Sequence, residues 1–430
     1  MIFENTLAFA QQLDKQDILA HFRDRFYMPH HNKKPVIYLC GNSLGLQPKS
    51  AQVAVQQEFD DWAKLGVEGH FQAKNPWKFY HHFLTEKAAK VVGAKPSEVV
   101  IMNNLTANLH LMMVSFYRPS AKRYKIMMEV SAFPSDQYAM ETQAKFHGFN
   151  PEEAIIELKP RKGEYTLRTE DIIAKIHEHK DELAIVMMGG VNYYTGQAFD
   201  MARIAKSAHE VGAMAGFDLA HAAGNLQLQL HDWDVDFAVW CTYKYLNSGP
   251  GGTSGVFVHE RHANKPELNR FAGWWGHNEE ERFLMKKGFK PMEGAAGWQL
   301  SNAQVFPMAI HKASLEMFDE AGIENLRKKS ETLTGYLEFI LNEINSAYKT
   351  RDEGQNSKFK IITPSDAKDR GCQLSIIVSE NGKKLFDYLY ENNVWPDWRE
   401  PDVIRMSPVP MYNSFEDVFR IGEIIKQYYK

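Results

Sequence analysis

Two residues that each follow an apolar run are the ones in this sequence best suited to chemistry. Lys244 follows "FAVWCTY", and Asp218 ends "AGFD", with His221 three residues further on. Burying an unpaired ammonium is costly. A lysine that forms a Schiff base with pyridoxal phosphate, together with an aspartate against the pyridinium nitrogen, gives both groups a role. By residue type alone, Lys244 could also be a surface lysine and Asp218 a helix N-cap.

Residues after two other apolar runs are candidates for holding the phosphate and the ring of such a cofactor. Leu105 and Thr106 lie where an apolar run passes into an amphipathic helical pattern, and a helix N-terminus suits a phosphate. Thr106 could equally be a plain N-cap. Phe133 could stack on a flat ring, although an aromatic residue beside a strand end is usually core. Asp136 is predicted at the start of the next helix.

Metal binding is not predicted. The pairs His30–His31 and His81–His82 are adjacent in the chain, and adjacent residues on a helix or strand do not share a face. The three cysteines are an odd number without a CxxC motif, which argues against a disulfide framework or a zinc ribbon; they are Cys40, Cys241 and Cys372.

The composition is that of a soluble globular protein. The chain has 430 residues, 44% hydrophobic and 24% charged, with a net charge of −4. This charge gives no general attraction to nucleic acid or to an anionic membrane. The first residues lack the basic region of a signal peptide, and the apolar runs are about half the ~20 residues that cross a bilayer. We therefore predict a cytoplasmic enzyme or binding protein.

Elements that position these residues are predicted from alternating patterns between about residues 95 and 260. Strands are predicted at "EVVIMNN", "RYKIMMEV", "ELAIVMMGGV", "GAMAGFDL", "VDFAVWCT" and "GVFVHE", with helical patterns between them. Strands that are apolar on both faces and alternate with helices predict an α/β fold with a mostly parallel sheet and helices on both faces. Ligands bind such sheets at the carboxyl ends of the strands.

Three parts of the chain are predicted. Residues 1–60 are predicted to be an N-terminal segment that contacts both domains. Residues 61–304 are predicted to form a large cofactor-binding domain. Residues 305–430, with long helical patterns followed by short strands and further helices, are predicted to form a smaller α+β domain.

Several longer motifs carry a family resemblance. The segments "LCGNSLGLQP", "NNLTANLHLMM", "AFPSDQYA", "GFDLAHAAGN", "HDWDVDF", "YKYLNSGPGG" and "MSPVPMYNSFEDV" together resemble the kynureninase family, from about residue 38 to 428. The pair "FDLAH" and "YKYLN", in that order and spacing, is the specific part. The resemblance implies pyridoxal-phosphate fold type I, the aspartate-aminotransferase fold.

The resemblance also implies roles for individual residues. Lys244 would be the Schiff-base lysine, and Tyr243 would contact the phosphate and relay protons. Further cofactor contacts would come from Leu105, Thr106, Phe133, Pro134, Ser135, Asp136, Asp218 and His221, with Trp274 and Asn302 reaching in from a second subunit. Substrate contacts would come from Arg405, which clamps the carboxylate, and from His70 and Asn302. Where we expect Ser or Thr near the cofactor, this chain has Gly189.

The implied reaction is hydrolytic cleavage of the Cβ–Cγ bond of L-kynurenine or 3-hydroxykynurenine. Its products are anthranilate or 3-hydroxyanthranilate and L-alanine, and the implied assembly is a homodimer with shared active sites. The sequence leaves open which substrate is preferred, and whether the pathway is tryptophan catabolism or NAD biosynthesis. The alternatives are another fold-type I lyase or desulfurase, or a non-catalytic pyridoxal-phosphate sensor. A desulfurase needs a mobile nucleophilic cysteine, and Cys372 begins a strand pattern.

Overall fold

The computed structural model describes residues 2–263, 265, 267–349 and 357–430. The helices in this part are α1 (Leu7–Gln16), α2 (Lys49–Leu65), α3 (Gly69–Gln72), α4 (His82–Val92), α5 (Leu105–Phe116), α6 (Pro134–Phe146), α7 (Pro151–Ala154), α8 (Thr169–Glu178), α9 (Met201–Glu210), α10 (Glu260–Ala263), α11 (Val305–Ala321), α12 (Ile323–Lys349), α13 (Gly382–Glu391) and α14 (Phe415–Tyr428). The strands are β1 (His30–His31), β2 (Lys34–Pro35), β3 (Ile37–Tyr38), β4 (Val99–Met102), β5 (Lys125–Glu129), β6 (Ile155–Leu158), β7 (Leu183–Gly189), β8 (Met214–Asp218), β9 (Phe237–Cys241), β10 (Ser254–Val258), β11 (Phe359–Ile361), β12 (Leu374–Val378), β13 (Val394–Trp395), β14 (Asp397–Arg399) and β15 (Val403–Met406).

The larger of two compact units, unit 2, contains residues 50–190 and 199–319. Its seven-stranded sheet has the order β4-β10-β9-β8-β7-β5-β6. Strand β10 is antiparallel to β4 and β9, and the remaining neighbours are parallel. Every residue of β4 and of β9 is buried, as in a sheet covered on both faces. The predicted α/β fold with a mostly parallel sheet is confirmed.

Apolar side chains from the sheet and from two helices form the core that fixes the strand ends in unit 2. Val100, Ile126 and Val239 of the strands pack in one cluster with Met112 of α5 and Met140 of α6. Both helices begin directly after strands, so their N-termini lie at the carboxyl-end edge of the sheet, where ligands of this fold class bind.

The smaller unit, unit 1, contains residues 1–49, 191–198 and 320–430. Its four-stranded sheet, β11-β12-β15-β14, is antiparallel, and β3 pairs in parallel with β13. Leu337 and Ile340 of α12 pack in its core with Ile376 of β12 and Ile421 of α14. The C-terminal third is therefore an α+β fold in the described residues, and the first 49 residues belong to the same unit.

The compact units divide the chain after residues 49 and 319, with the short segment 191–198 in unit 1. The predicted divisions after residues 60 and 304, and the predicted contact of the N-terminal segment with both domains, stay predictions. None of the described helices is long and apolar enough to cross a membrane.

Candidate active site

Three polar side chains and a glycine of unit 2 lie at the ends of four neighbouring strands. Strand β5 ends at Glu129, β7 at Gly189 and β8 at Asp218. Lys244 follows the end of β9 closely. Because neighbouring parallel strands end at the same edge of a sheet, these residues share one edge.

Lys244 is half-buried at this edge. Its Nζ lies 3.0 Å from Nε2 of His221 and 5.6 Å from the centroid of the Phe133 ring. His221 is itself buried. The structure therefore brings together three of the predicted site residues, and Lys244 is not an exposed surface lysine.

Two buried aspartates interact at the same edge. The carboxyl groups of Asp136 and Asp218 are close enough for each to act on the pKa of the other. Burial raises the pKa of both carboxyl groups, and the charge of Asp218 raises the pKa of Asp136 further, whereas Lys244 lowers both. Two neighbouring buried carboxyl groups disfavour a second negative charge, so the pair favours one ionised carboxylate, which suits a flat cationic ring.

Asp218 is not a helix N-cap. Its Oδ1 accepts a hydrogen bond from the backbone N–H of Ala220 at 2.7 Å, and turns rather than a helix follow it. This local bond fixes the carboxyl group where β8 ends. The N-cap alternative for Asp218 is therefore wrong.

Glu129 is a buried carboxyl group of the cluster that the sequence analysis missed. Its two carboxylate oxygens lie 3.2 and 3.3 Å from the donating backbone N–H of Gly189. Burial raises the pKa of Glu129 to about 7, although the Gly189 N–H lowers it. A glutamate at the end of the apolar run "YKIMMEV" was the available signal. The effect of Gly189 on a cofactor contact stays a prediction.

The predicted phosphate cradle lies where two helices begin. Helix α5 begins at Leu105, and its N-cap is Asn104, whose Oδ1 accepts from the backbone N–H of Ala107 at 3.2 Å. Thr106 is therefore not the N-cap. Its Oγ1 lies 2.9 Å from Oγ of Ser135 in the first turn of α6. Two helix N-termini that bring two hydroxyl groups together suit an anion.

Phe133 immediately precedes α6, which begins at Pro134. Its side chain is 44% exposed, so its ring is not part of the core. An open aromatic face beside Lys244 fits stacking on a flat ring. Asp136 lies in the first turn of the same helix and is buried.

Tyr243 is half-buried directly before Lys244. Burial raises the pKa of its phenol, and the neighbouring Cys241 raises it further. The phenol therefore keeps its proton at neutral pH and can donate a hydrogen bond.

Two predicted residues lie outside this cluster. Trp274 is 45% exposed, and its Nε1 donates to the carbonyl oxygen of Arg282 at 3.3 Å. Asn302 is exposed. Within the described residues, no contact joins either side chain to Lys244, and the predicted role of both in a partner subunit stays a prediction.

His70 lies in a short segment that a buried glutamate organises. Its ring packs edge-on against Trp77, with the centroids 5.3 Å apart. Trp77 Nε1 donates to Glu58 Oε2 at 2.9 Å, and Tyr80 donates its hydroxyl proton to Glu58 Oε1 at 2.7 Å. Glu58 is completely buried, so its hydrogen bonds decide where the Trp77 ring, and with it His70, is held.

Glu58→Gln is expected to lower the free energy of unfolding by about 1–3 kcal/mol, because one buried donor loses its acceptor. Urea denaturation followed by fluorescence measures this. Glu68→Gln is the control, since Glu68 is exposed and bonds only Gln72 among the described contacts, and should stay within about 0.5 kcal/mol of the parent. Equal stability of the two variants would contradict the buried network.

Arg405 lies on β15 in unit 1 and is completely buried. Its Nη1 donates to the carbonyl oxygen of Tyr193 at 2.7 Å, and its Nη2 lies 2.8 Å from Asp397 Oδ1. Its guanidinium is held by protein partners, so both predicted roles, carboxylate clamp and structural residue, are compatible with its position.

Neither histidine pair forms a group with metal-like spacing among the described residues. The group with such spacing among the described residues consists of Glu98, His231 and His259. Glu98 Oε1 lies 2.9 Å from His231 Nδ1 and accepts from the Glu260 N–H at 2.8 Å. Hydrogen bonds therefore already satisfy this carboxylate.

Known proteins resemble this chain along its whole length. The family model described as the kynureninase C-terminal domain matches residues 326–425. A kynureninase from Flavobacterium psychrophilum is 56% identical over 427 residues, which is 99% of each chain. A kynureninase from Myxococcus xanthus is 54% identical over 426 residues, 99% of this chain and 98% of that one.

Solved structures resemble the fold at lower identity. A cysteine desulfurase from Escherichia coli is 18% identical with a TM-score of 0.74, covering 96% of this chain and 98% of that one. At this identity the likeness shows the shared fold and nothing finer. The full-length relatives are far more similar, and by them this chain belongs to the kynureninase family.

Proposed function

We propose that this chain cleaves L-kynurenine or 3-hydroxykynurenine hydrolytically at the Cβ–Cγ bond, with pyridoxal phosphate as cofactor. The products are anthranilate or 3-hydroxyanthranilate and L-alanine. The observation that carries the proposal is the group formed by Lys244, His221 and Asp218 at one strand edge beside the open ring of Phe133, in a chain of the kynureninase family.

The residues at this edge fit the cofactor's chemical groups. Lys244 would hold it covalently, Phe133 would stack on its ring and Asp218 would pair with its ring nitrogen. Thr106 and Ser135, whose hydroxyl groups meet where α5 and α6 begin, would hold its phosphate. When bound, pyridoxal phosphate accepts the electrons that are left when a proton leaves the substrate's α-carbon.

Protons in the reaction are moved by side chains of this chain. The Lys244 amine would take the proton from the substrate's α-carbon. Its 3.0 Å separation from His221 keeps the amine at this edge. Tyr243, whose phenol stays protonated because burial raises its pKa, donates or returns a proton near Lys244.

Substrate recognition is assigned to three other side chains. Arg405 binds the α-carboxylate, because a planar guanidinium offers paired donors that match two carboxylate oxygens. His70, held against Trp77, contacts the substrate's aromatic ring. Asn302 is exposed and is assigned to the site of a partner copy.

A desulfurase activity is less well supported, although cysteine desulfurases share the fold. Such an enzyme needs a mobile, ionisable cysteine. Burial raises the pKa of Cys40 to about 12 and that of Cys241 to about 11. Cys372 is completely buried. None of the three cysteines, all of which the structure describes, forms a disulfide, which fits a reducing compartment, and we place the protein in the cytoplasm on that ground.

Steady-state kinetics on L-kynurenine and 3-hydroxykynurenine test the proposed function. Formation of anthranilate or 3-hydroxyanthranilate with saturable kinetics supports it, and the two kcat/KM values establish the preferred substrate. Absence of both products with pyridoxal phosphate bound would overturn it.

An exposed apolar segment of unit 2 supports a homodimer with shared active sites. Phe271 is 57%, Leu284 57% and Met285 78% exposed. Trp274, Met285 and Phe289 line a groove of about 500 Å³. Exposed apolar patches of this kind mark interfaces, and we propose a second copy of this chain as the occupant.

Met285→Asp is expected to raise the dimer dissociation constant at least about tenfold, because a carboxylate would be buried without a partner. Light scattering over a concentration series measures this. Phe146→Asp is the control, since Phe146 is also 78% exposed but lies at the end of α6. A fully active parent monomer at assay concentration would contradict the shared site.

A further inference from the structure

A carboxylate lies between two guanidinium groups in unit 1. Asp397 Oδ1 accepts from Arg405 Nε at 3.1 Å and lies 2.8 Å from Arg405 Nη2. On its other side, Arg399 Nη2 donates to Asp397 Oδ2 at 3.3 Å. The Asp397 side chain is 11% exposed and that of Arg405 1%, whereas Arg399 is more open at 38%.

The β-sheet register explains why these three side chains meet. Strands β14 and β15 are antiparallel, and Asp397 is directly opposite Arg405. Opposed residues of antiparallel strands have their side chains on one face about 5 Å apart. Arg399 is two residues after Asp397 on the same strand, so it shares that face.

Further contacts fix the plane of the Arg405 guanidinium. Its Nη1 donates to the carbonyl oxygen of Tyr193 at 2.7 Å, and its Nη2 donates to Ser43 Oγ at 3.2 Å. The Ser43 hydroxyl in turn donates to Asp397. The Nε, Nη1 and Nη2 atoms each have a protein acceptor, and for two of these three atoms, Nε and Nη2, the acceptor is Asp397 or its partner Ser43.

The formal charges of Arg399, Arg405 and Asp397 sum to a positive value. The guanidinium groups of Arg399 and Arg405 carry two positive charges, and Asp397 carries one negative charge. The nearby Cys40 thiol stays neutral, because burial raises its pKa to about 12. The net charge of +1 matches a single carboxylate.

We propose that Asp397, fixed by Arg399, is a positioning residue that holds the Arg405 guanidinium in the plane that accepts the α-carboxylate of an amino-acid ligand. This inference rests on the proposed function, which assigns the carboxylate to Arg405. Asp397 itself does not touch the ligand.

Asp397→Asn distinguishes positioning from simple electrostatics, because the two predict opposite changes in the affinity for L-alanine. The substitution raises the formal charge around Arg405 from +1 to +2, and electrostatics alone would tighten carboxylate binding. Positioning predicts that loss of the charge-assisted bonds weakens L-alanine binding about tenfold or more. Binding of L-alaninamide, which has no carboxylate, should not change. Arg399→Gln should weaken L-alanine binding less, since the contacts from Asp397 to Arg405 remain.

The measurement is titration of the holoenzyme with L-alanine and with L-alaninamide, followed by cofactor absorbance. The control is Glu338→Gln, which removes a matched buried ion pair, with Arg370 Nη1 2.6 Å from Glu338 Oε2 and side chains 2% and 18% exposed. The control should lower stability without changing the ratio of the two affinities.

Weaker L-alanine binding in Asp397→Asn with unchanged L-alaninamide binding supports the inference. Unchanged or tighter L-alanine binding, or an equal loss for both ligands, overturns it. The comparison needs no turnover. A parent protein that binds L-alanine but does not cleave kynurenine would contradict the proposed function, and the comparison of affinities would still test this inference.

Discussion

Alanine in place of Lys244 is expected to abolish covalent attachment of pyridoxal phosphate and to lower kcat/KM by about 10²–10⁴. The reason is that the proposed function assigns to one amine both the attachment of the cofactor and the movement of the α-proton. Its Nζ lies 3.0 Å from Nε2 of His221 and 5.6 Å from the centroid of the Phe133 ring, at the edge of the sheet where the proposed site lies. Borohydride reduction followed by peptide mass spectrometry locates the attachment, and product formation measures the rate.

Lys90→Ala is the matched control for this prediction. Lys90 is an exposed lysine of unit 2 that pairs with Asp319 at 2.9 Å. The control should keep both the attachment and the activity of the parent. If the Lys244→Ala variant still carries the cofactor on another lysine, the assignment of Lys244 is wrong.

Arg405→Ala is expected to lower kcat/KM on L-kynurenine at least about tenfold. Hydrogen bonds to a charged group contribute about 1.5–3 kcal/mol each, and loss of the clamp removes two of them. Arg405→Lys keeps the charge but not the paired donors, so it should recover part of the activity. Steady-state kinetics of the three proteins measure the effect.

Stability and ligand binding distinguish the clamp from a structural role of Arg405. After Arg405→Ala, Asp397 keeps its ion pair with Arg399, so the carboxylate is not left without a charged partner. A clamp variant should therefore fold, keep its cofactor absorbance and bind amino-acid ligands poorly. If Arg405→Ala binds kynurenine and alanine as tightly as the parent, the carboxylate site lies elsewhere.

The local sequence pattern was sufficient to predict the sheet of unit 2 and the residues at its edge. Apolar runs such as those of β7 and β9 are buried throughout most of their length, and burial on both faces removes the alternation that an exposed strand shows. Lys244 and Asp218 stand out because each breaks or follows such a run.

The local sequence pattern could not predict a residue's role where that role depends on residues distant in sequence. The segment containing Asp397 and Arg399 reads as polar and proline-bounded, and nothing local reveals that Asp397 is opposite Arg405 across two strands. Glu129 is similar, since its acceptor role is evident only when β5 and β7 pair and bring Gly189 beside it. The alternative that Thr106 is the N-cap was wrong for a local reason, because Asn104 is the N-cap of α5.

The most direct test of the central claim is a single-turnover reaction of the pyridoxal-phosphate-loaded protein with L-kynurenine. Anthranilate is followed by fluorescence, and alanine is quantified in the same samples. The proposed function predicts both products in equal amounts, and predicts that the Lys244→Ala variant forms neither within the time in which the parent completes its turnover. Consumption of kynurenine without anthranilate, or release of anthranilate without alanine, would contradict cleavage at the Cβ–Cγ bond.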